Sequence, residues 1–179
     1  NEMNRRQFVY GAAATAATVA ASLGLANASE PVNPSKILSY NPDMEYRRLG
    51  KTNLMVSAVG LGGHSRSNDE ERREIVSRCL EAGINYIDAC WDNEVKRDAK
   101  ALKGRRDKAY LALSHGAKEV RNEDFRTSKK LLESLDELLK ASDQEYTDLW
   151  RITCLEPGGR HTFNTACEIV DALEKAKKQ

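Results

Sequence analysis

The sequence predicts an α/β domain in which parallel strands alternate with covering helices. Two observations carry this expectation. Beyond Met44, short apolar runs ("VSAVGLGG", "INYID", "AYLAL", "TDLWRIT") alternate with longer segments whose apolar residues recur at helical spacing. Only the first two extended runs are close enough to form a hairpin. The others are separated by helix-length segments, so they must pair in parallel through right-handed crossovers. A closed barrel and an open doubly wound sheet both satisfy this order.

In chain order, "MEYRRLGKTNLMVSAVGLGG" gives two extended runs about a turn at Gly50-Lys51-Thr52-Asn53, the second running into a buried strand. "DEERREIVSRCLEAG" is a helix with acids at its start, Ile75, Val76, Cys79, Leu80 and Ala82 on one face, and Gly83 as its stop. The strand "INYID" follows, then a brief helix in "NEVKRDAKALKG" and the strand "AYLAL". The longest helix is expected over "NEDFRTSKKLLESLDELLKAS", capped by Asn122, with Phe125, Leu131, Leu132, Leu135, Leu138 and Leu139 as its buried stripe. "TDLWRIT" is the next strand and "CLEPGGRH" a loop. "FNTACEIVDALEKAKK" is the last helix, with Phe163, Cys167, Ile169, Val170 and Leu173 expected inward. The glycine turn "GLGGHS" opens no complete phosphate-binding helix, which argues against a dinucleotide fold of the Rossmann kind.

The chain has 179 residues and a formal charge of +1, the balance of an ordinary globular domain. Basic clusters such as "KGRRDK" are offset by acids and lack interleaved aromatics, so nucleic acid is not an expected partner. The four cysteines, Cys79, Cys90, Cys154 and Cys167, form no CxxC pair. Metal or redox-motif spacing is therefore absent.

Residues 1–28 read as an export signal: Arg5 and Arg6, an Ala-rich apolar run too short for the ~20 residues of a membrane span, then Ala26-Asn27-Ala28 as the cleavage site. The adjacent arginines resemble a twin-arginine signal, which implies a periplasmic or otherwise exported protein whose only membrane encounter is export itself. Residues 29–43, rich in Pro, Ser and Asn, read as a linker, and residues 44–179 as the folded domain.

At "MEYRRLGKTNLMVSAVGLGG", "CLEAGINYIDA", "KALKGRRDKAYLA" and "YTDLWRI", the sequence resembles the amino-terminal half of an aldo-keto reductase. The resemblance implies a (β/α)8 TIM-barrel fold, of which this chain covers the floor hairpin and about four βα units. It also implies carbonyl reduction with NADP(H), using a tyrosine proton donor, a lysine and an aspartate that tune it, and a histidine that orients substrate. A phenol near pKa 10 needs a neighbouring cation to donate a proton at neutral pH. Asp88 falls on the aspartate position. Asn93 stands at the tyrosine position, Ser114 at the lysine position and Thr153 at the histidine position, and none of these can do the same proton chemistry. The expected function is thus an exported aldo-keto reductase-like oxidoreductase with a degenerate tetrad. The rivals are a catalytically silent ligand- or partner-binding barrel and a metal-dependent barrel enzyme. A complete barrel needs ~250 residues, so the chain is expected to be a fragment of a longer protein, or else to pair as a homodimer.

Further expectations follow for the strand ends. Gly62 and Gly63 are the candidates for cofactor contact; Arg151, Trp91 and His115 are those for a small-molecule substrate. His64, His115 and His161 fall in loops after strands together with Cys90, Cys154 and Glu156, and His64, His115 and Cys154 are the candidates for a metal, although strand alternation puts His115 and Cys154 out of phase with Asp88, Ser114 and Thr153. Cys90 and Cys154 follow strands ~9.6 Å apart, beyond the ~7 Å span of a disulfide. Cys79 and Cys167 read as packing residues on helix faces. Arg151 shares the inward phase of Thr153, and an arginine there must find a carboxylate. Asp88 is the expected partner.

Overall fold

A hairpin can form at residues 46–57 because its turn supplies what a reversal needs. Gly50 and Asn53 take left-handed backbone (φ 53° and 63°), and the Thr52 hydroxyl donates to the Leu49 carbonyl at 2.6 Å. In the computed structural model, which describes residues 33–152 and 161–179, strands β1 (Tyr46–Arg48) and β2 (Met55–Ser57) pair antiparallel about that turn. The signal, its cleavage site and residues Thr153, Cys154 and Glu156 lie outside the described residues. Of the expected linker, Ile37 is buried and Tyr40 stacks on Tyr46 with ring centroids 5.7 Å apart. This stretch therefore packs on the domain.

The hairpin is held by one buried amide. Asn85, wholly excluded from solvent, accepts from Ser57 N at 2.8 Å and donates through Nδ2 to the Met55 and Leu38 carbonyls, both at 3.0 Å. A buried amide with all these groups satisfied fixes orientation as well as contact.

After the hairpin, Leu61 bridges Ile87 in parallel. Strands β3 (Tyr86–Ala89), β4 (Tyr110–Leu113) and β5 (Leu149–Trp150) then follow side by side, all parallel. With the bridge counted, four parallel positions stand in sequence order, as a growing (β/α) barrel requires. Helices α1 (Asp69–Glu81), α2 (Asp92–Ala101), α3 (Ser128–Ala141) and α4 (Phe163–Ala176) alternate with them.

Each helix start has a local cause. Asn68 caps α1 by accepting from Glu70 N and Glu71 N, while Glu71 reaches back to the Asn68 amide, a reciprocal pair that satisfies otherwise orphaned donors. At α3 the structure departs from expectation. Asn122 caps only a single 3-10 turn at Glu123–Phe125, and Thr127, accepting from Lys130 N, starts the helix proper. Both residues are acceptable caps, and Ser128 is drawn to the later start by the Glu168 carboxylate of α4, which accepts its amide at 2.6 Å.

The main core joins Val76 of α1, Ile87 and Ala89 of β3, Val95 of α2, Leu111 and Leu113 of β4 and Leu138 of α3. Each fully buried Val, Leu or Ile side chain here contributes about 1.5–3 kcal/mol. A second cluster, Val120, Leu131, Ile169 and Ala172, seats α4 on α3. The inward face of α4 is a correction. Thr165, Ile169 and Ala172 are buried, whereas Phe163, Cys167, Val170 and Leu173 are exposed, Phe163 at 85%. The helix carries two apolar stripes, and the one with the smaller residues lies against α3. Cys167 is thus not a packing residue. Ala82, expected on the inner face of α1, is also exposed, because it is the C-cap where the chain turns away.

Between α1 and α2, Arg72 and Asp98 form a buried pair, 4% and 0% exposed at the side chain. Arg72 Nε donates to Oδ1 at 2.5 Å and Nη2 to Oδ2 at 3.0 Å. The same Nη2 reaches the Gly62 carbonyl at 3.2 Å and ties the loop after Leu61 to both helices.

Candidate functional site

The carboxyl ends of the parallel strands carry a connected polar network. Asp88, on β3, receives the guanidinium of Arg151, the residue after β5, through Nη2; the pair spans the intervening β4. Both side chains are about one-third exposed, at 35% and 32%. Arg151 Nη2 also lies 3.4 Å from the hydroxyl of Ser114, the first residue past β4. The expected Asp88–Arg151 contact is formed, and Ser114 is the third member on the middle strand. Arg151 Nε is screened from water without a hydrogen-bond partner.

The network continues through sulfur. Ser114 pulls the Cys90 thiol down, and Cys90 Sγ lies 4.0 Å from His64 Nε2. His64 Nδ1 in turn faces Glu94 Oε1 at 3.4 Å. Glu94, with a side chain only 10% exposed, accepts from the backbone amides of both His64 and Cys90, the latter at 3.2 Å. One carboxylate therefore clamps the loop after Leu61 to the turn after β3. A Cβ on Gly63 would overlap Glu94 Oε2, so this approach requires glycine, and His64 beside it takes a left-handed φ of 60°.

Sequence reasoning did not single out Glu94. Its signal was present, because Glu94 is the third residue after the α2 N-cap, Trp91, where an acid meets free amides at a helix start. Here it accepts from the amide one residue before the cap.

The other expected residues distribute as follows. Trp91 is 38% exposed at the rim, its ring tilted against His64 at 6.5 Å and lying over Gly116, where a Cβ would come within 3.1 Å of it. His115 is nearly buried. Its Nδ1 accepts from Lys118 N at 3.2 Å, and its Nε2 lies 2.9 Å from Asp92 Oδ1, an electrostatic contact without hydrogen-bond alignment. His161 turns to the Val120 carbonyl at 3.0 Å. Asn93 is exposed in the first turn of α2, outside the Asp88 network. Among the described residues no three His, Cys, Asp or Glu side chains are grouped to hold a metal ion. Cys79, Cys90 and Cys167 are free thiols.

The tyrosines of the parallel strands, Tyr86 and Tyr110, open β3 and β4 at their amino ends. Burial, then the charge of Asp88, pushes the Tyr86 phenol above its ordinary range against the opposing pull of Arg151. Burial likewise pushes Tyr110 up. The glycine turn is not a diphosphate cradle either. Gly63 faces the Glu94 carboxylate and the His64 amide is engaged by it, so a pyrophosphate here would meet a negative charge. Gly62 is open but offers its carbonyl to Arg72. Gly63 therefore does not fit the phosphates of NADP(H), whereas Gly62 keeps open space around it.

Among solved structures, the chain is similar to the aldo-keto reductase AKR11C1 from Bacillus halodurans. The holo form gives a TM-score of 0.62 and 27% identity over 75% of this chain and 47% of that one. The apo form gives a TM-score of 0.53 and 28% identity over 75% and 44%. MGS-M4, an aldo-keto reductase enzyme from a Medee basin deep-sea metagenome library, shares the fold at 21% identity, with a TM-score of 0.56 over 75% of this chain and 45% of that one. The chain thus spans less than half the length of these solved relatives. No curated protein matches it. The fold is that of the TIM-barrel reductases, of which the hairpin and the first βα units are present. The aldo/keto reductase family profile matches residues 56–179, well over half of the sequence. The chain belongs to the aldo/keto reductase family.

Proposed function

We propose that the protein is an exported oxidoreductase of the aldo-keto reductase type. It handles a small carbonyl substrate at the strand ends, and NADP(H) is the hydride partner of the whole protein. The observation that carries this reading is the Arg151 guanidinium, which sits against Asp88 and beside Ser114. The family relies on a fixed cation next to this aspartate. Ser114 cannot supply it, and Arg151 brings an equivalent charge from the neighbouring strand. A guanidinium stays protonated at every working pH, so it polarises a carbonyl oxygen without itself exchanging a proton. The tetrad is degenerate: Asp88 is kept, the cation is relocated, and the tyrosine has no counterpart in the network. Export rests on the paired arginines and small-residue site of residues 1–28.

A second reading is favoured by the Tyr86 phenol, which burial and the charge of Asp88 push upward rather than make acidic. In that reading the barrel binds a carbonyl ligand without reducing it. Calorimetric titrations of the natural, full-length protein with NADPH and with propionaldehyde, followed by aldehyde-dependent loss of reduced-nicotinamide absorbance, separate the two. Tight binding with turnover supports the first reading and binding of aldehyde alone the second. Failure of both titrations refutes carbonyl handling. Intact mass of the protein isolated from its host tests export, since a chain retaining residues 1–28 would contradict it.

A further inference from the structure

Cys90, His64 and Glu94 lie outside the Asp88–Arg151 pair yet are built with unusual care. The Glu94 carboxylate is buried and binds the amides of the two residues it brings together. His64 is held in left-handed backbone, and Gly63 makes room for the clamp. The order of contacts is directional. Nδ1 of His64 faces a carboxylate at 3.4 Å, which favours the proton on Nδ1 and leaves the Nε2 lone pair toward Cys90 Sγ at 4.0 Å. A nucleophile, a base within reach and a third group that orients the base are the parts of an activated thiol.

We propose that Cys90 is a base-assisted nucleophile that adds to the carbonyl carbon of a small aldehyde at the strand ends. The step balances without an oxidant. Sulfur forms a bond to carbon while the thiol proton passes to His64 Nε2. The carbonyl π pair moves to oxygen, and His64 returns the proton there to give a thiohemiacetal. Ser114 and Arg151, the groups that pull the thiol down, stabilise charge developing on the sulfur. The choice of an aldehyde rests on the carbonyl-handling reading above; the thiol site itself does not.

The groups around Cys90 make the role of His64 separable. Burial first, then the charge of Glu94 on α2 and also of Glu119 beyond β4, pushes the thiol above its ordinary range, while Ser114 and Arg151 pull it down. Without a base, Cys90 should therefore react more slowly than Cys167, which is exposed on α4.

The test is timed alkylation of the full chain with iodoacetamide, read at each cysteine by peptide mass mapping. At pH 7.5 Cys90 is expected to label at least tenfold faster than Cys167. His64→Gln is expected to drop it below Cys167, with the rates at Cys167 and half-buried Cys79 unchanged as evidence of an intact fold. Millimolar propionaldehyde should slow labelling at Cys90 at least threefold and leave Cys167 alone. A Cys90 rate no faster than that of Cys167, a rate indifferent to His64→Gln, or labelling untouched by propionaldehyde overturns the proposal. NADPH binding is measured separately, so failure of the reductase reading leaves the labelling pattern as it was.

Discussion

Replacing Arg72 by Met keeps the aliphatic stem between α1 and α2 but strands Asp98, which has no exposure to solvent. Burial already pushes the Asp98 carboxyl above the ordinary range, against the opposing pull of Arg72. Without the guanidinium, the native state escapes a bare buried charge by holding Asp98 protonated. An unfolded aspartate ionises near pH 3.9, so holding the proton at pH 7 costs at most about 4 kcal/mol, at roughly 1.36 per pH unit. At pH 5.5 the same ceiling is about 2 kcal/mol. The sign follows from the raised carboxyl. The native chain binds the extra proton, so stability is greatest below the unfolded pKa and is lost as pH rises toward the native one. Urea unfolding of wild type and Arg72→Met should therefore show a loss of about 2–4 kcal/mol at pH 7 that shrinks by at least a third at pH 5.5. Arg72→Met/Asp98→Leu should regain most of it, since an apolar pair of similar volume leaves nothing unpaired. A loss below about 1 kcal/mol at pH 7, or one equal at both pH values, would refute this account of the buried pair.

Three further outcomes are expected. Asn85→Ala should cost about 3 kcal/mol or more by chemical denaturation, because it orphans Ser57 N and the Met55 and Leu38 carbonyls together; a loss under about 1 kcal/mol would mean that water replaces the amide. Gly116→Ala, in a Trp150→Phe background that leaves Trp91 as the only tryptophan, should shift the emission maximum as the ring is lifted toward solvent, while an unchanged spectrum would show that the ring yields without moving outward. Thr127→Ala should lower the thermal midpoint through the loss of a cap, about 1 kcal/mol, and Asn122→Ala by clearly less; the reverse order would put the helix start where the sequence first suggests it.

Much of the fold was legible because it rests on local rules. Gly50 and Asn53 announce the hairpin, the opening acids and apolar face of "DEERREIVSRCLEAG" announce α1, and the leucine spacing of α3 survives the shift in its start. The exposed face of α4 was not legible, because Phe163, Val170 and Leu173 read as core until packing chooses the Thr165–Ile169–Ala172 stripe. The Asp88–Arg151 pair was readable from strand alternation together with the barrel resemblance, since barrel layers join alternate strands and two inward charges there have few other ways to be satisfied. Glu94 and Asn85 were hidden for another reason. Each acts on backbone amides or carbonyls distant in sequence, and a polar residue type does not reveal which main-chain groups it will meet.

Arg151 and Asp88 are separated by 63 residues, with a whole strand between them in the sheet. Their contact closes only after β3, β4 and β5 have found a common register, so it demands a large loop closure before it returns anything. In kinetic terms the strand-end network belongs among the last native features to appear. Helices α1 and α2 can dock on each other through Arg72 and Asp98, 26 residues apart, well before that. A folding chain would thus pass through states with sound helical layers and no working mouth, and a substitution at Arg151 should speed unfolding while leaving the rate of folding nearly unchanged.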